Sequence, residues 1–277
     1  MSAAVAVVTD STADLPAERI AALGIHVVPL EVRFGQASFL DGLDLPPQAF
    51  YDELVTSKDL PTTSQPSPGR FREIYEGIEA ESIVSIHLSS KLSGTASSAS
   101  LAAAQVPHKR IAVIDSGTVS LAMGYLAQAA AEAARDGALF DEVRDLVNAY
   151  ASQTWFYAAL ETLHFAHRSG RITFAQTLLG SVLQVKPILT IREGQVQPVD
   201  RPRTMGKALN RLVDLTLGQG PFRYLAIPHA NNLELARRLA ARLTEQTSCD
   251  VDVVMTGATI GTHCGPGAVA TCGIRRA

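Results

Sequence analysis

Apolar residues in the first half of the chain fall into short unbroken runs separated by stretches with helical spacing. AVAVVTD (4–10), SIVSIHL (82–88) and RIAVIDS (110–116) are such runs, each ending in polar turn residues. Runs of this length bounded by turn signals predict strands buried on both faces. HVVPLEVRF (26–34) is rich in Val, alternates in part and predicts a further strand. Helical segments lie between them: STADLPAERIAALG (11–24) as a turn and helix closed by Gly24, PPQAFYDELVTS (46–57) with Pro near its first turn, and FREIYEGI (71–78). LSGTASSASLAAAQV (92–106) and VSLAMGYLAQAAAEAARDG (119–137) continue the series. LPTTSQPSPGRF (60–71), dense in Pro, Ser and Thr, reads as a loop. This alternation predicts a mainly parallel sheet covered by helices on both faces.

The texture changes near residue 154. WFYAALETLHFAHRSGRI (155–172) reads as a strand and then a helix that stops near Gly170. VKPILTIREGQVQPV (185–199) reads as a hairpin turning at Glu193-Gly194. A helix (204–217), a strand (222–228), a helix (232–245) and a strand (250–255) follow. The fold class expected is therefore α/β, with one domain over 1–153 and a second, mixed-sheet domain with helices over 154–277.

Composition narrows the function. A net charge of −3 and the lack of any basic run give no electrostatic case for nucleic acid. No apolar run approaches the roughly 18 residues of a membrane helix, and the N-terminal stretch lacks a positive region and is interrupted at Asp10. The expectation is a cytoplasmic protein. Cys249, Cys264 and Cys272 are odd in number and lack metal or redox spacing, so they read as small buried thiols.

In parallel α/β sheets ligands gather at the carboxyl ends of the strands. Three strands here end alike, in TDST (9–12), HLSS (87–90) and IDSG (114–117), and are expected to line one crevice; ordinary turn and N-cap chemistry is the alternative for each. HLSSKLSGTASSA (87–99) adds a dense set of hydroxyls. A serine hydrolase would show G-x-S-x-G, which is absent, and His87 within a strand reads as packed. No G-x-x-x-x-G-K-[ST] occurs, and Gly265–Ala270 fits G-x-G-x-x-A too near the C-terminus for a dinucleotide unit. The third use is an anion cradle. A helix starting near Ser93 would aim free N–H groups at a carboxylate or phosphate monoester, with Thr62, Thr63, Ser64 and Gln65 as a lid. His164 and His167 fall three apart without a third ligand, so no metal site is expected. His263, in the Gly-rich IGTHCGPG, reads as a binding residue or as one packed by its turn.

Seven segments, VVTDSTADLP (7–16), LPTTSQPSPGRF (60–71), HLSSKLSGTASSA (87–99), VIDSGTVSLAMG (113–124), HRSGRITFAQTLLGSVLQVKPIL (167–189), DRPRT (200–204) and IGTHCGPGAV (260–269), resemble the DegV family in order and end to end. The resemblance implies a two-domain α/β protein that binds one long-chain fatty acid, the acyl chain in an apolar tunnel and the carboxylate at the Ser/Thr crevice. It implies the lipid-carrying subunit of a bacterial fatty acid kinase, which presents the carboxylate to a separate ATP-dependent kinase subunit. No cofactor, no catalytic residue and no nucleic acid would be involved, and membrane contact would be transient, for lipid exchange. Carried over residue by residue, Thr63 and Ser93 would bond the carboxylate and His263 the head group, with Thr62, Ser64, Gly94 and Thr95 around them. Arg171 and Arg203 would face the kinase. Phe165, Phe174, Leu178, Leu179 and Val182 would shape the tunnel. Cys264 departs from the usual turn, and the stretch after Gly273 is short. Hydroxyls and one His would hold the carboxylate without a strong counter-ion and leave it reactive. Two other readings stay open: a stand-alone hydrolase or phosphatase acting through Ser93 and His263, and a lipid-sensing regulator.

Overall fold

The computed structural model of the chain describes residues 5–172 and 185–276. The first half runs β1 (Val5–Asp10), a 3-10 turn (Ser11–Ala13), α1 (Ala17–Leu23), β2 (His26–Val28), β3 (Glu31–Phe34), β4 (Ala37–Leu40), α2 (Pro47–Thr56), β5 (Thr62–Ser64), α3 (Pro68–Gly77), β6 (Ser82–His87), α4 (Thr95–Ala103), β7 (Arg110–Asp115), α5 (Ser120–Arg135) and α6 (Phe140–Ala151). The second half runs β8 (Thr154–Ala159), α7 (His164–Ser169), β9 (Ile188–Arg192), β10 (Gln195–Asp200), α8 (Met205–Leu217), β11 (Phe222–His229), α9 (Leu233–Thr247), β12 (Asp252–Met255), α10 (Ala258–Cys264) and β13 (Val269–Arg275).

The architecture is α/β. Strands β2-β1-β6-β7 form an all-parallel sheet. The strand order reverses between β1 and β6, so their carboxyl ends make the topological switch point where such sheets bind ligands. A six-stranded mixed sheet, β10-β9-β8-β13-β11-β12, holds every strand from β8 onward. A small antiparallel sheet, β4-β3-β5, completes the set.

Several local outcomes differ from the pattern reading. The run 26–34 breaks at Pro29, which has no N–H to give a ladder, so β2 joins the parallel sheet and β3 the antiparallel one. The Pro/Ser/Thr-rich loop supplies β5, and Ser67 caps α3 by accepting from the Arg70 N–H. Beyond the predicted elements the chain also forms β4, α6, α10 and β13. β13 lies buried between β8 and β11, although Thr, Cys and Gly break its apolar pattern.

Helix α5 joins the two large sheets. It is Ala-rich and buried along nearly its whole length. One apolar cluster holds Val5, Val84 and Ile114 of the parallel sheet, Leu121, Met123 and Leu126 of α5, and Ala226, Cys272 and Ile274 of the mixed sheet. Small side chains let two sheets approach one helix. Gly124 lets the 3-10 turn after β1 pack closely on α5: a Cβ there would lie 2.4 Å from the Ala13 carbonyl oxygen. The larger side chains of α5 supply the burial energy, about 1.5–3 kcal/mol each for Leu121, Met123 and Leu126.

Among the described residues, no helix is long and apolar enough to cross a membrane. Leu121→Ala is expected to cost about 2–5 kcal/mol. Urea unfolding followed by circular dichroism should show a lower midpoint with an unchanged m-value.

Candidate functional site

Three buried carboxyls organise the carboxyl ends of the parallel sheet. Asp10 accepts from Thr12 N–H and Oγ1, from the Leu88 N–H, and bonds His87 Nδ1 at 3.0 Å. His87 Nε2 bonds Ser85 Oγ at 2.7 Å, and Ser85 Oγ bonds Tyr75 Oη at 2.8 Å. This Ser–His–Asp chain has the connectivity of a hydrolase triad, yet Asp10, Ser85 and His87 are all fully buried. It is a structural network across β1 and β6.

Asp14 and Asp41 hold α10. Gly257 N–H donates to Asp14 Oδ1 at 2.8 Å, Ala258 N–H to Asp41 Oδ1 at 2.9 Å and Thr259 N–H to Asp41 Oδ2 at 3.2 Å. Two carboxyls thus fill the donors at the start of this helix, where its dipole favours negative charge. Ser120 Oγ donates to Asp14 Oδ2 at 2.6 Å and Ser11 Oγ to Asp41 Oδ2 at 3.0 Å. Burial pushes the Asp14 carboxyl up to about 7, against the donors that lower it, and raises Asp41 as well.

The last turn of α10 carries His263, so this residue sits in a helix rather than in the Gly-rich turn expected from sequence. Its Nε2 bonds Thr63 Oγ1 at 3.0 Å. Thr63 is the middle residue of β5, placed by its pairing with Val32 of β3. The His263 pKa is lowered to about 4, first by burial and then by the Arg171 charge, so the ring is neutral near pH 7. Its Nδ1 is buried without a hydrogen-bond partner among the described residues.

A cavity of about 670 Å³ opens beside this pair. Its polar end holds Thr63, Ser64, Gln65, Ser93, Gly94 and His263. Its apolar wall follows strand periodicity on β8, with Phe156 and Ala158 and with Leu160 just beyond it; Leu189, Thr190 and Ile191 of β9 and Val196 of β10 continue it. The alternate residues Trp155, Tyr157 and Ala159 face the opposite side, in the core with α8 and α9. Ile260 and Cys264 of α10 close the cavity, and burial pushes the Cys264 thiol up to about 12.

The structure brings Thr63, Ser64, Ser93, Gly94 and His263 to this cavity and leaves other expected residues out. Thr62 lines a separate, smaller cavity. Thr95 is fully buried, with its hydroxyl 2.9 Å from Ser93 Oγ. Arg171 lines the large cavity as well as the small one, and Arg203 is exposed. Phe165 lines the small cavity, while Phe174, Leu178, Leu179 and Val182 lie outside the described residues. Two of the three polar strand ends do not line the large cavity: Asp10 is engaged as above, and Asp115 accepts from Ser90 N–H and Gly117 N–H, the turn chemistry held as the alternative.

The head of the cavity is not free of cations either, because Lys91 and Arg171 line it. The start of α4 is also partly filled. Gly94 N–H donates to Gln65 Oε1 at 3.1 Å, and a Cβ on Gly94 would lie 2.4 Å from that oxygen. Gln65 thus packs directly on the Gly94 backbone and ties β5 to α4. Among the described residues, no group of three His, Cys, Asp or Glu is placed to hold a metal.

The profile described as "Uncharacterised protein, DegV family" matches residues 4–276. The chain belongs to the DegV family. A DegV domain-containing protein of Streptomyces coelicolor is 38% identical over 275 residues, covering 96% of this chain and 97% of the relative. Two solved structures superpose over almost the whole length. DegV of Bacillus subtilis, described as a fatty acid binding protein, has a TM-score of 0.88 at 35% identity, covering 98% of this chain and 99% of that one. A DegV family protein of Thermus thermophilus, whose fatty acid binding its structure describes, has a TM-score of 0.87 at 31% identity over the same shares.

The depressed His263 pKa has a defined consequence. The unfolded chain takes up a proton near 6.5 and the folded ring near 4, so the contribution is present above 6.5 and lost as pH falls through about 4. Asp14 works the other way: its contribution is present below 3.8 and lost as pH rises through about 7. Denaturant titrations at pH 7 and pH 4.5 should show a smaller pH-dependent loss in His263→Gln than in the wild type, by about 1–3 kcal/mol.

Proposed function

We propose that this DegV protein carries one long-chain fatty acid, with its carboxylate at Thr63, Ser93 and His263 and its tail along the apolar wall of the large cavity. The observation that carries the reading is the cavity itself: one apolar side built from β8, β9 and β10 and one hydrogen-bonding end. Its volume suits a ligand of this size, and such sites are lined mainly by apolar groups with a few placed polar ones. Burying a sixteen-carbon tail is worth on the order of 10 kcal/mol gross, at about 0.8 kcal/mol per CH₂. The tail therefore supplies affinity and the head end supplies orientation. The fatty acid binding described for the relatives supports the same ligand class.

In this reading residues 1–153 supply the hydroxyl crevice and 154–277 supply His263 and part of the tunnel wall. Ser64 and Gly94 border the head group. Thr95 orients Ser93, and Thr62 lies one residue aside. The neutral His263 ring lines the cavity and can meet a carboxylate without first losing or gaining a proton.

The chain acts as a carrier rather than an enzyme. It presents the carboxylate to a separate ATP-dependent kinase subunit, where a carboxylate oxygen attacks the terminal phosphorus and the diphosphate leaves. Arg171 and Arg203 lie on the kinase-facing side. The hydrolase alternative needs Ser93 and His263 joined, whereas Ser93 bonds Thr95 and His263 bonds Thr63.

Native mass spectrometry of protein from a bacterial host, followed by denaturation and lipid extraction, is expected to release one fatty acid per chain. An empty protein that cannot be loaded with palmitate refutes the carrier reading. Ser93→Ala is expected to lower phosphorylation by a kinase partner more than it lowers lipid retention; equal losses would show that Ser93 serves binding alone.

A further inference from the structure

A second cavity, of about 140 Å³, adjoins the large one beside the hydrogen-bonded pair Thr63 and His263. Thr63, Arg171 and His263 line both cavities. The small cavity adds Thr62, Arg168 and Ser169, with two arginines and no acidic residue among those lining it. We propose that this vestibule is a phosphoryl subsite, which holds the phosphate of a fatty acyl phosphate while its tail remains in the large cavity. The inference rests on the carrier reading above and assigns a place to its product.

Charge is the physical reason. Fatty acid brings one negative charge to the wall, which a neutral imidazole and hydroxyls can meet with Arg171 nearby. After transfer the head carries close to two negative charges and further strong acceptor oxygens. Such a group calls for guanidinium donors, which bind it in a fork. Arg168 lines the small cavity and is not among the residues lining the large one, where Ser93 stands, so it would meet the phosphoryl group more than the free carboxylate. Thr62, one residue from Thr63 on β5, adds a hydroxyl on the same side. Ser169 ends α7, where helix carbonyls disfavour an anion. Arg171 covers that end, donating from Nη1 to the Ser169 carbonyl at 2.7 Å. The volume accommodates one tetrahedral oxyanion and a few waters.

The test uses the full delipidated chain and two probes: palmitate, and a long-chain β-ketophosphonate in which a CH₂ replaces the bridging oxygen of the acyl phosphate. Displacement of a fluorescent fatty acid reads both affinities. Arg168→Ala is expected to weaken the phosphonate about tenfold or more, as loss of charged hydrogen bonds does, and to leave palmitate within about twofold. Arg168→Lys should recover part of the loss, and Thr62→Val should show a smaller selective loss. Intact palmitate binding in each variant also reports intact folding. The inference is overturned if Arg168→Ala leaves the phosphonate unchanged, if it weakens both probes equally, or if the wild type binds palmitate and excludes the phosphonate. A wild type that binds neither probe refutes the carrier reading as well.

Discussion

The site depends on how α10 is held. This helix of seven residues, far too short to be stable alone, carries His263 in its last turn, and its first amides are filled by Asp14 and Asp41. Those two carboxyls come from the turn after β1 and the end of β4, so the position of the imidazole is set by the opposite end of the sequence. Ser120, at the start of α5, bonds the same Asp14. Asp14 and Ser120 both adopt left-handed backbone, at φ 51° and 56°. Such conformations cost of order 1–3 kcal/mol each for residues other than glycine, and the short bond between the two side chains helps to hold them.

Around that fixed point each layer has a separate role. Helix α5 is thin enough, through its alanines, to be shared by two sheets. The mixed sheet uses its two faces differently: one buries Trp155, Tyr157 and Ala159 beneath α8 and α9, the other exposes Phe156 and Ala158 to the cavity. The parallel sheet contributes the loop after β6, and its other polar ends serve the structure. Asp10 and His87 illustrate the difference. They lie at the switch point where a ligand is expected, yet they are consumed by each other and by neighbouring backbone.

Much of this was legible before any coordinates. The parallel sheet, the hairpin at Glu193-Gly194 and the helices after it follow from period and turn chemistry, because those signals are local. Thr63, Ser93 and His263 could be singled out by family resemblance. The wall of the cavity could not. WFYAAL reads as a strand, but which of its alternating faces lines a cavity depends on what covers each side. β13 was hidden for a similar reason: a central strand can carry Thr, Cys and Gly when both neighbours supply the packing.

What the sequence determined by itself was the parallel sheet, its helices, the hairpin and the dense hydroxyls after β6, since these arise from neighbouring positions and from side-chain type. What only the tertiary structure decided was partition. It set Thr62 apart from Thr63, placed Arg171 where both cavities meet, and turned the polar end of β1 into a buried hydrogen-bond network. These outcomes depend on which distant groups meet in a low-dielectric interior, where every buried donor and acceptor must find its partner across the fold.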